Sequence, residues 1–162
     1  MLGHFTYSIR RQRLSGSIDG KTFDLAAVSG FGRGWQQGKD EPPGFPGRQS
    51  GGRGDQALGQ AALNYIAKPN WGPIPPGFYK IRRPEANGLK ARIESHLSPR
   101  PFSRHDFEIH GRAKHEYHGQ FHVHASHGCI VPEHDGDLQR LMKALSDAVP
   151  GHDYVATLEV TE

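Results

Sequence analysis

Residues 4–30 read HFTYSIRRQRLSGSIDGKTFDLAAVSG, and this run decides the class of fold. Two stretches that alternate apolar and polar residues flank the dipeptide Asp19-Gly20. Alternation with a period of two puts every second side chain on one face of an extended chain. An Asp-Gly pair tolerates the positive φ needed at both central positions of a tight hairpin turn. The run therefore predicts strands joined by a turn, each with one buried face.

The same pattern recurs further along. Pro75, Pro76 and Gly77 predict a rigid turn, and Phe78 to Arg82 a half-buried strand. KARIESHL (90–97), DFEIHG (106–111) and QFHVHASHGCIV (120–131) are rich in β-branched and aromatic residues and predict further strands, as does YVATLEV (154–160). The clearest helix is GDLQRLMKALSDAVPG (136–151). There Leu138, Leu141, Met142, Leu145 and Val149 form one apolar stripe, Asp135 is placed to cap the start, and Pro150-Gly151 ends it. DQALGQAALNYIAK (55–68) predicts a second, shorter helix. Before it, residues 30–54 are rich in Gly, Pro and Arg and predict a long loop, a candidate cover over a cleft. The expectation is a mainly β domain over residues 1–162 with one or two short helices.

Composition bounds the function. With 162 residues the chain is long enough to bury a real core, and its 21 Gly and 12 Pro favour short strands and turns over a helical bundle. No apolar run is long enough to span a bilayer as a helix, and the first residues, MLGHFTYSIRRQRL, have no apolar segment of the kind that directs secretion. The expected site of synthesis is the cytosol, with any outside action requiring another export route. The formal charge of +3 is mildly basic. No nucleic-acid-reading motif accompanies it, so a nucleic-acid partner is not expected; binding through the Arg/Gly segment would be phosphate electrostatics that salt weakens.

The chemistry concentrates in one region. Eight of the 11 histidines lie between His105 and His134, and the only cysteine, Cys129, lies among them. A single cysteine excludes an internal disulfide and leaves one free thiol. Three readings of that thiol stand. It is a nucleophile, held as a thiolate by a nearby imidazole. It is a metal ligand, with His122 and His124 sharing a strand face and His127 adding a third group. Or it is a small buried side chain, as free cysteines often are. In the nucleophile reading His110 ends the strand FEIH, Cys129 follows 19 residues later, and two neighbouring antiparallel strands bring them together. Gly128 then lets a substrate carbonyl approach, and the backbone N–H groups of 127–129 stabilise the oxyanion.

The stretch SHGCI (126–130), preceded by IHG (109–111), resembles the signature of the L,D-transpeptidases, and GPIPPGFYKI (72–81) is similar to that family's second landmark, a Pro-x-Gly-x-aromatic-x-Ile strand. The hairpin TYSIRRQRLSGSIDG, the run SGFGRG and NWGPIPPG look like the narrower branch of L,D-transpeptidase effectors delivered by type VI secretion systems. The resemblance implies a β-sandwich-like catalytic domain and a substrate in the peptide stems of bacterial peptidoglycan. It implies Cys129 as nucleophile, His110 as base, and the Gly111 carbonyl as the group that orients the imidazole. Ser126, His127 and Gly128 would shape the site, with His127 assisting proton transfer. Arg112, with Lys114, would meet substrate carboxylates, and His118 or His122 are the alternatives to His110 as base. Members of the family often carry Arg or Asn two residues after the cysteine; here that position is Val131. No cofactor is needed. The effector resemblance further implies delivery to a rival cell's periplasm, type VI secretion components as partners, and a cognate immunity protein. The runner-up is a His/Cys metal-dependent hydrolase or metal-binding module.

Overall fold

The computed structural model describes residues 2–29, 72–86, 88–96, 104–111, 113–117, 120–124, 128–148 and 154–162; for 113–117 and 120–124 it describes strands without their side chains. The loop of residues 30–54, the short helix expected over 55–68, and Val149, Pro150 and Gly151 lie outside these residues.

The opening run folds as its alternation dictates. Strands β1 (Gly3–Ser8), β2 (Arg13–Ile18) and β3 (Lys21–Ser29) form an antiparallel meander. Asp19 and Gly20 take φ of 48° and 75°, so the turn forms where expected and Ile18 pairs with Lys21. Across the three strands Tyr7, Leu14 and Leu25 stand in one buried row, and Phe5, Gly16 and Phe23 in the next. Gly16 is required by close approach: a Cβ there would stand 2.2 Å from the His4 carbonyl oxygen. Its missing side chain also lets the flanking Phe5 and Phe23 rings meet with centroids 6.1 Å apart.

The later strands are β4 (Gly77–Ile81), β5 (Lys90–Ser95), β6 (Phe107–His110), β7 (Ala113–Tyr117), β8 (Gln120–His124), β9 (Ile130–Pro132) and β10 (Ala156–Thr161). Eight of the ten described strands close into a barrel in the order β1, β10, β4, β5, β6, β9, β3, β2, with β2 returning to β1. The β1–β10 and β6–β9 contacts are parallel and the rest antiparallel. Strands β7 and β8 pair only with each other. The mainly β expectation holds. The layers expected of a sandwich are here two walls of one closed sheet, facing across a shared core, with no strand of that sheet left as an edge.

One helix, α1 (Asp135–Asp147), is present among the described residues. Its stripe is buried at Leu141, Met142 and Leu145, while Leu138 is only partly covered, and it rests on β3 and β9. The cap differs from expectation: His134 is the N-cap and makes no side-chain capping bond, and Asp135 is already helical. Asp135 and Asp137 instead lie in the first turn, where a negative charge favours the helix dipole.

Two further features depend on the surface that each segment meets. The run 120–131, expected as one strand, divides into β8 and β9 in different sheets, separated by residues that include Gly128 at φ 114°. In β4 the alternation buries Tyr79 and Ile81 and turns Phe78 outward, 59% exposed.

The buried stripe of α1 carries a measurable share of stability. Leu145→Ala should lower the unfolding free energy by about 3 kcal/mol, since the lost transfer energy and the cavity add. Lys143→Ala, which removes an exposed ion pair with Asp147, should leave the chemical denaturation midpoint where it was.

Candidate active site

The site forms where β6 meets β9. Ile109 and Ile130 pair across these two strands, in parallel, and both are fully buried. His110 follows Ile109 and Cys129 precedes Ile130, so the two lie diagonally across one strand boundary. At ordinary strand spacings their Cα atoms are roughly 8 Å apart, a gap that an imidazole and a thiol span between them. Alternation sends the His110 side chain, and that of Cys129 at the threshold of β9, away from the face of the two isoleucines. The two residues thus flank one strand boundary, and the strands there are parallel, not the antiparallel pair expected from sequence. A parallel pair needs the chain to travel back along its own length before it re-enters the sheet, and β7 and β8 lie in that connection.

The Nδ1 atom of His110 lies 2.7 Å from the Gly111 carbonyl oxygen. A carbonyl only accepts, so Nδ1 carries the hydrogen and the imidazole keeps Nε2 as its lone-pair nitrogen. The ring is half-buried and its tautomer is set by a backbone atom one residue away. A Cβ on Gly111 would come within 3.0 Å of Leu138, so the same residue is also where α1 closes on the barrel.

Cys129 is 9% exposed, and its Sγ lies 4.0 Å from the Asp106 carbonyl oxygen. Asp106 holds φ of 64°, an uncommon value for a residue with a side chain. That turn, one residue before β6, aims its carbonyl at the sulfur while its carboxylate pairs at the surface with His105 at 2.6 Å. A cleft of about 400 Å³ opens between β5 and β6, bordered by Arg92, Glu94, Arg104, Asp106 and Glu108.

Behind the cysteine lies a buried polar clasp that sequence reading missed. Ser29 Oγ donates to the Gly128 carbonyl at 2.8 Å and accepts from the Ile74 N–H at 2.9 Å. Arg104, only 6% exposed, donates through Nη2 to the Gly72 carbonyl at 2.8 Å and through Nη1 to the Pro73 carbonyl. Its guanidinium carbon stands 5.4 Å from the centroid of the Phe107 ring. Burial pulls the Arg104 pKa down, and electrostatic attraction from Tyr79 and Cys129 opposes that. No local signal distinguishes Arg104 or Ser29 in the sequence from the other arginines and serines; only the tertiary fold buries them.

Gly128 is explained by this clasp. It has φ of 114°, and a Cβ there would stand 2.6 Å from both Arg104 Nη2 and the Phe107 ring. The side of Gly128 on which a Cβ would stand is occupied from within the protein, by Arg104 and Phe107. Tyr79 completes this wall. It packs edge-on against Phe107 with centroids 6.1 Å apart and donates its hydroxyl to the Pro75 carbonyl at 2.7 Å. Val131, two residues after the cysteine, is fully buried against β3.

Of the candidates from sequence, His110, Gly111, Gly128 and Cys129 come together here. Ser126, His127, Arg112 and His118 lie outside the described residues, as do the side chains of Lys114, His122 and His124. Among the described residues no three His, Cys, Asp or Glu side chains are grouped to hold a metal ion, and no helix is long and apolar enough to cross a membrane.

Two outcomes follow from this geometry. Gly128→Ala forces a side chain into an occupied space at a left-handed backbone position, and should cost about 2 kcal/mol or more in equilibrium unfolding. Burial pushes Tyr79 up to about 12 from 10.0, with Arg104 opposing. A tyrosine that stays neutral in the fold but ionises in the open chain contributes stability below pH 10. That contribution is lost as pH rises from 10 towards about 12. Tyrosinate absorbance and circular dichroism, followed together, should show the last part of the tyrosine titration coinciding with loss of structure. Complete titration of all five tyrosines near pH 10 in a folded protein would contradict this.

No protein-family model matches this sequence, and no curated protein matches it. Solved structures that it resembles include an L,D-transpeptidase from Mycobacterium smegmatis, with TM-score 0.43 and 14% identity. They also include an L,D-transpeptidase from Mycobacterium tuberculosis, with TM-score 0.42 and 16% identity. Each match covers 99% of this chain and 58% of the other, so the chain spans less than two thirds of the length of those structures.

Proposed function

We propose that this chain is a cysteine-dependent L,D-transpeptidase or L,D-carboxypeptidase acting on the tetrapeptide stems of peptidoglycan. What supports the reading is the pairing of Ile109 with Ile130, which sets His110 and Cys129 on either side of the β6–β9 boundary, with Nδ1 of His110 bonded to the Gly111 carbonyl. A thiol with an imidazole whose free nitrogen is Nε2 is the arrangement that nucleophilic acyl transfer requires. The sequence SHGCI, with IHG upstream and GPIPPGFYKI before it, supports the same chemistry.

In this reading His110 Nε2 takes the thiol proton and Cys129 attacks the carbonyl that follows the L-centre of meso-diaminopimelate. The tetrahedral oxyanion is stabilised by backbone N–H groups around residues 127–129. On collapse the bond to terminal D-alanine breaks. The departing amine takes the proton back from the imidazolium, leaving a thioester on Cys129. Water resolves the thioester in carboxypeptidase action, a D-amino acid in exchange, and the amine of a second stem in cross-linking. Ser126 and His127 shape the site around the cysteine, and Arg112 meets substrate carboxylate. By the sequence resemblance, the biological setting is that of an antibacterial effector of type VI secretion. It would be made in the cytoplasm, act in a target cell's periplasm, and be neutralised in its producer by an immunity protein.

The test is mass spectrometry of purified muropeptides before and after incubation, with and without an added D-amino acid. Loss of D-alanine from tetrapeptide stems, or its replacement by the added amino acid, is expected from the wild-type protein. Cys129→Ala should abolish this while melting as wild type does, and His110→Ala should lower the rate by at least about a hundredfold. Unchanged stems under both conditions would defeat the proposal.

A further inference from the structure

The strongest feature that the reaction described above leaves unused is the buried guanidinium of Arg104. It enters from the residues just before β6 and is gripped by two backbone carbonyls, those of Gly72 and Pro73. It also abuts Gly128 so closely that a single added carbon there would collide with Nη2. A cation 6% exposed is costly to bury, and neutral carbonyls only partly offset that cost. Its position beside the peptide that presents the cysteine suggests what the cost serves.

We propose that Arg104 is a positioning residue for Cys129: it fixes a buried positive charge against the Gly128–Cys129 peptide, favouring the thiolate and anchoring the turn that presents it. The inference rests on the reading of Cys129 as nucleophile. The electrostatic contact between Arg104 and Cys129 is reciprocal, so what raises the proton affinity of one group lowers that of the other. The other polar and charged groups described on the surrounding elements have partners of their own. On β6, Glu108 pairs with Lys90 of β5 at 3.5 Å, and His110 is tied to Gly111. Asp106 pairs with His105 at the surface, and Tyr79 of β4 donates to Pro75. From β3 and α1 the nearby groups are the Ser29 hydroxyl and the apolar Leu138. Arg104 is thus the cation seated behind the cysteine among the described residues.

The chain has one cysteine, so ultraviolet absorbance of the thiolate, taken as a difference from Cys129→Ala, reads this group alone. Titrated this way, Arg104→Gln should show an acid ionisation constant for the thiol lowered roughly tenfold or more. Arg104→Lys, which keeps the charge but loses the fork, should retain most of the wild-type value. Phe107→Leu loosens the same packing without removing charge; it should lower the melting temperature and leave the titration in place. A folded Arg104→Gln protein that titrates as wild type overturns the proposal. So does a Phe107→Leu protein whose titration moves as far as that of Arg104→Gln, because the role would then be packing alone. Should Arg104→Gln not fold, nuclear magnetic resonance of the wild-type guanidinium decides. Its nitrogen shifts should follow the Cys129 ionisation and be flat with pH in Cys129→Ala; flat shifts in both overturn the proposal. No peptidoglycan enters these measurements, so their outcome is independent of whether muropeptides are turned over.

Discussion

The parallel pairing of β6 with β9, held by Ile109 against Ile130, is the contact on which the rest of this protein depends. It closes the barrel between strands that lie far apart in sequence, and it leaves His110 and Cys129 on either side of one buried isoleucine pair. A parallel pair cannot be joined by a tight turn, because the chain must first travel back along its own length. Here the return passes through the β7–β8 hairpin, which pairs with nothing else in the barrel. His110 and Cys129 are therefore set at the ends of strands whose isoleucines are buried, while β7 and β8 lie outside the main sheet.

Closing the sheet there obliges several polar groups to be buried, and the fold satisfies them with one another. Ser29 ends β3 and bridges the Gly128 carbonyl to the Ile74 N–H. Arg104 binds the next two carbonyls upstream of Ile74, those of Gly72 and Pro73. A buried donor or acceptor left unsatisfied costs about 1–3 kcal/mol, so these bonds act less as added stability than as a condition for the three segments to meet at all. The glycine at 128 belongs to this condition, because any side chain there would displace the guanidinium and the Phe107 ring.

Much of the fold was legible from local patterns. Alternation in residues 4–29, the Asp19-Gly20 turn, the strands around Tyr79, Ile93 and Ile109, and the apolar stripe of α1 all appear where the sequence places them. These are short-range effects: a period of two or of 3.6 residues, and a turn that needs positive φ. The departures arise where the deciding partner is distant. The helix cap moved from Asp135 to His134, and residues 120–131 divided into β8 and β9. Each outcome was set by which surface the element met, not by its own composition.

What the sequence alone supplied is the inventory: a mainly β chain, one clear helix, one free thiol, and Cys129, His110, Gly111, His127, Ser126, Gly128 and Arg112 as the candidate site residues. Local pattern and spacing suffice for the elements and for His110, Gly128 and Cys129, and the resemblance of SHGCI and IHG implied the others. The tertiary structure decided how they are brought together. It chose parallel over antiparallel strands at the site, and gave Gly128 an internal reason for lacking a side chain. It also singled out Arg104 from the other arginines by burying it behind the cysteine. Those outcomes depend on barrel closure, which couples residues separated by up to the whole length of the chain, and no local pattern encodes which of many equivalent charged residues such a closure will enclose.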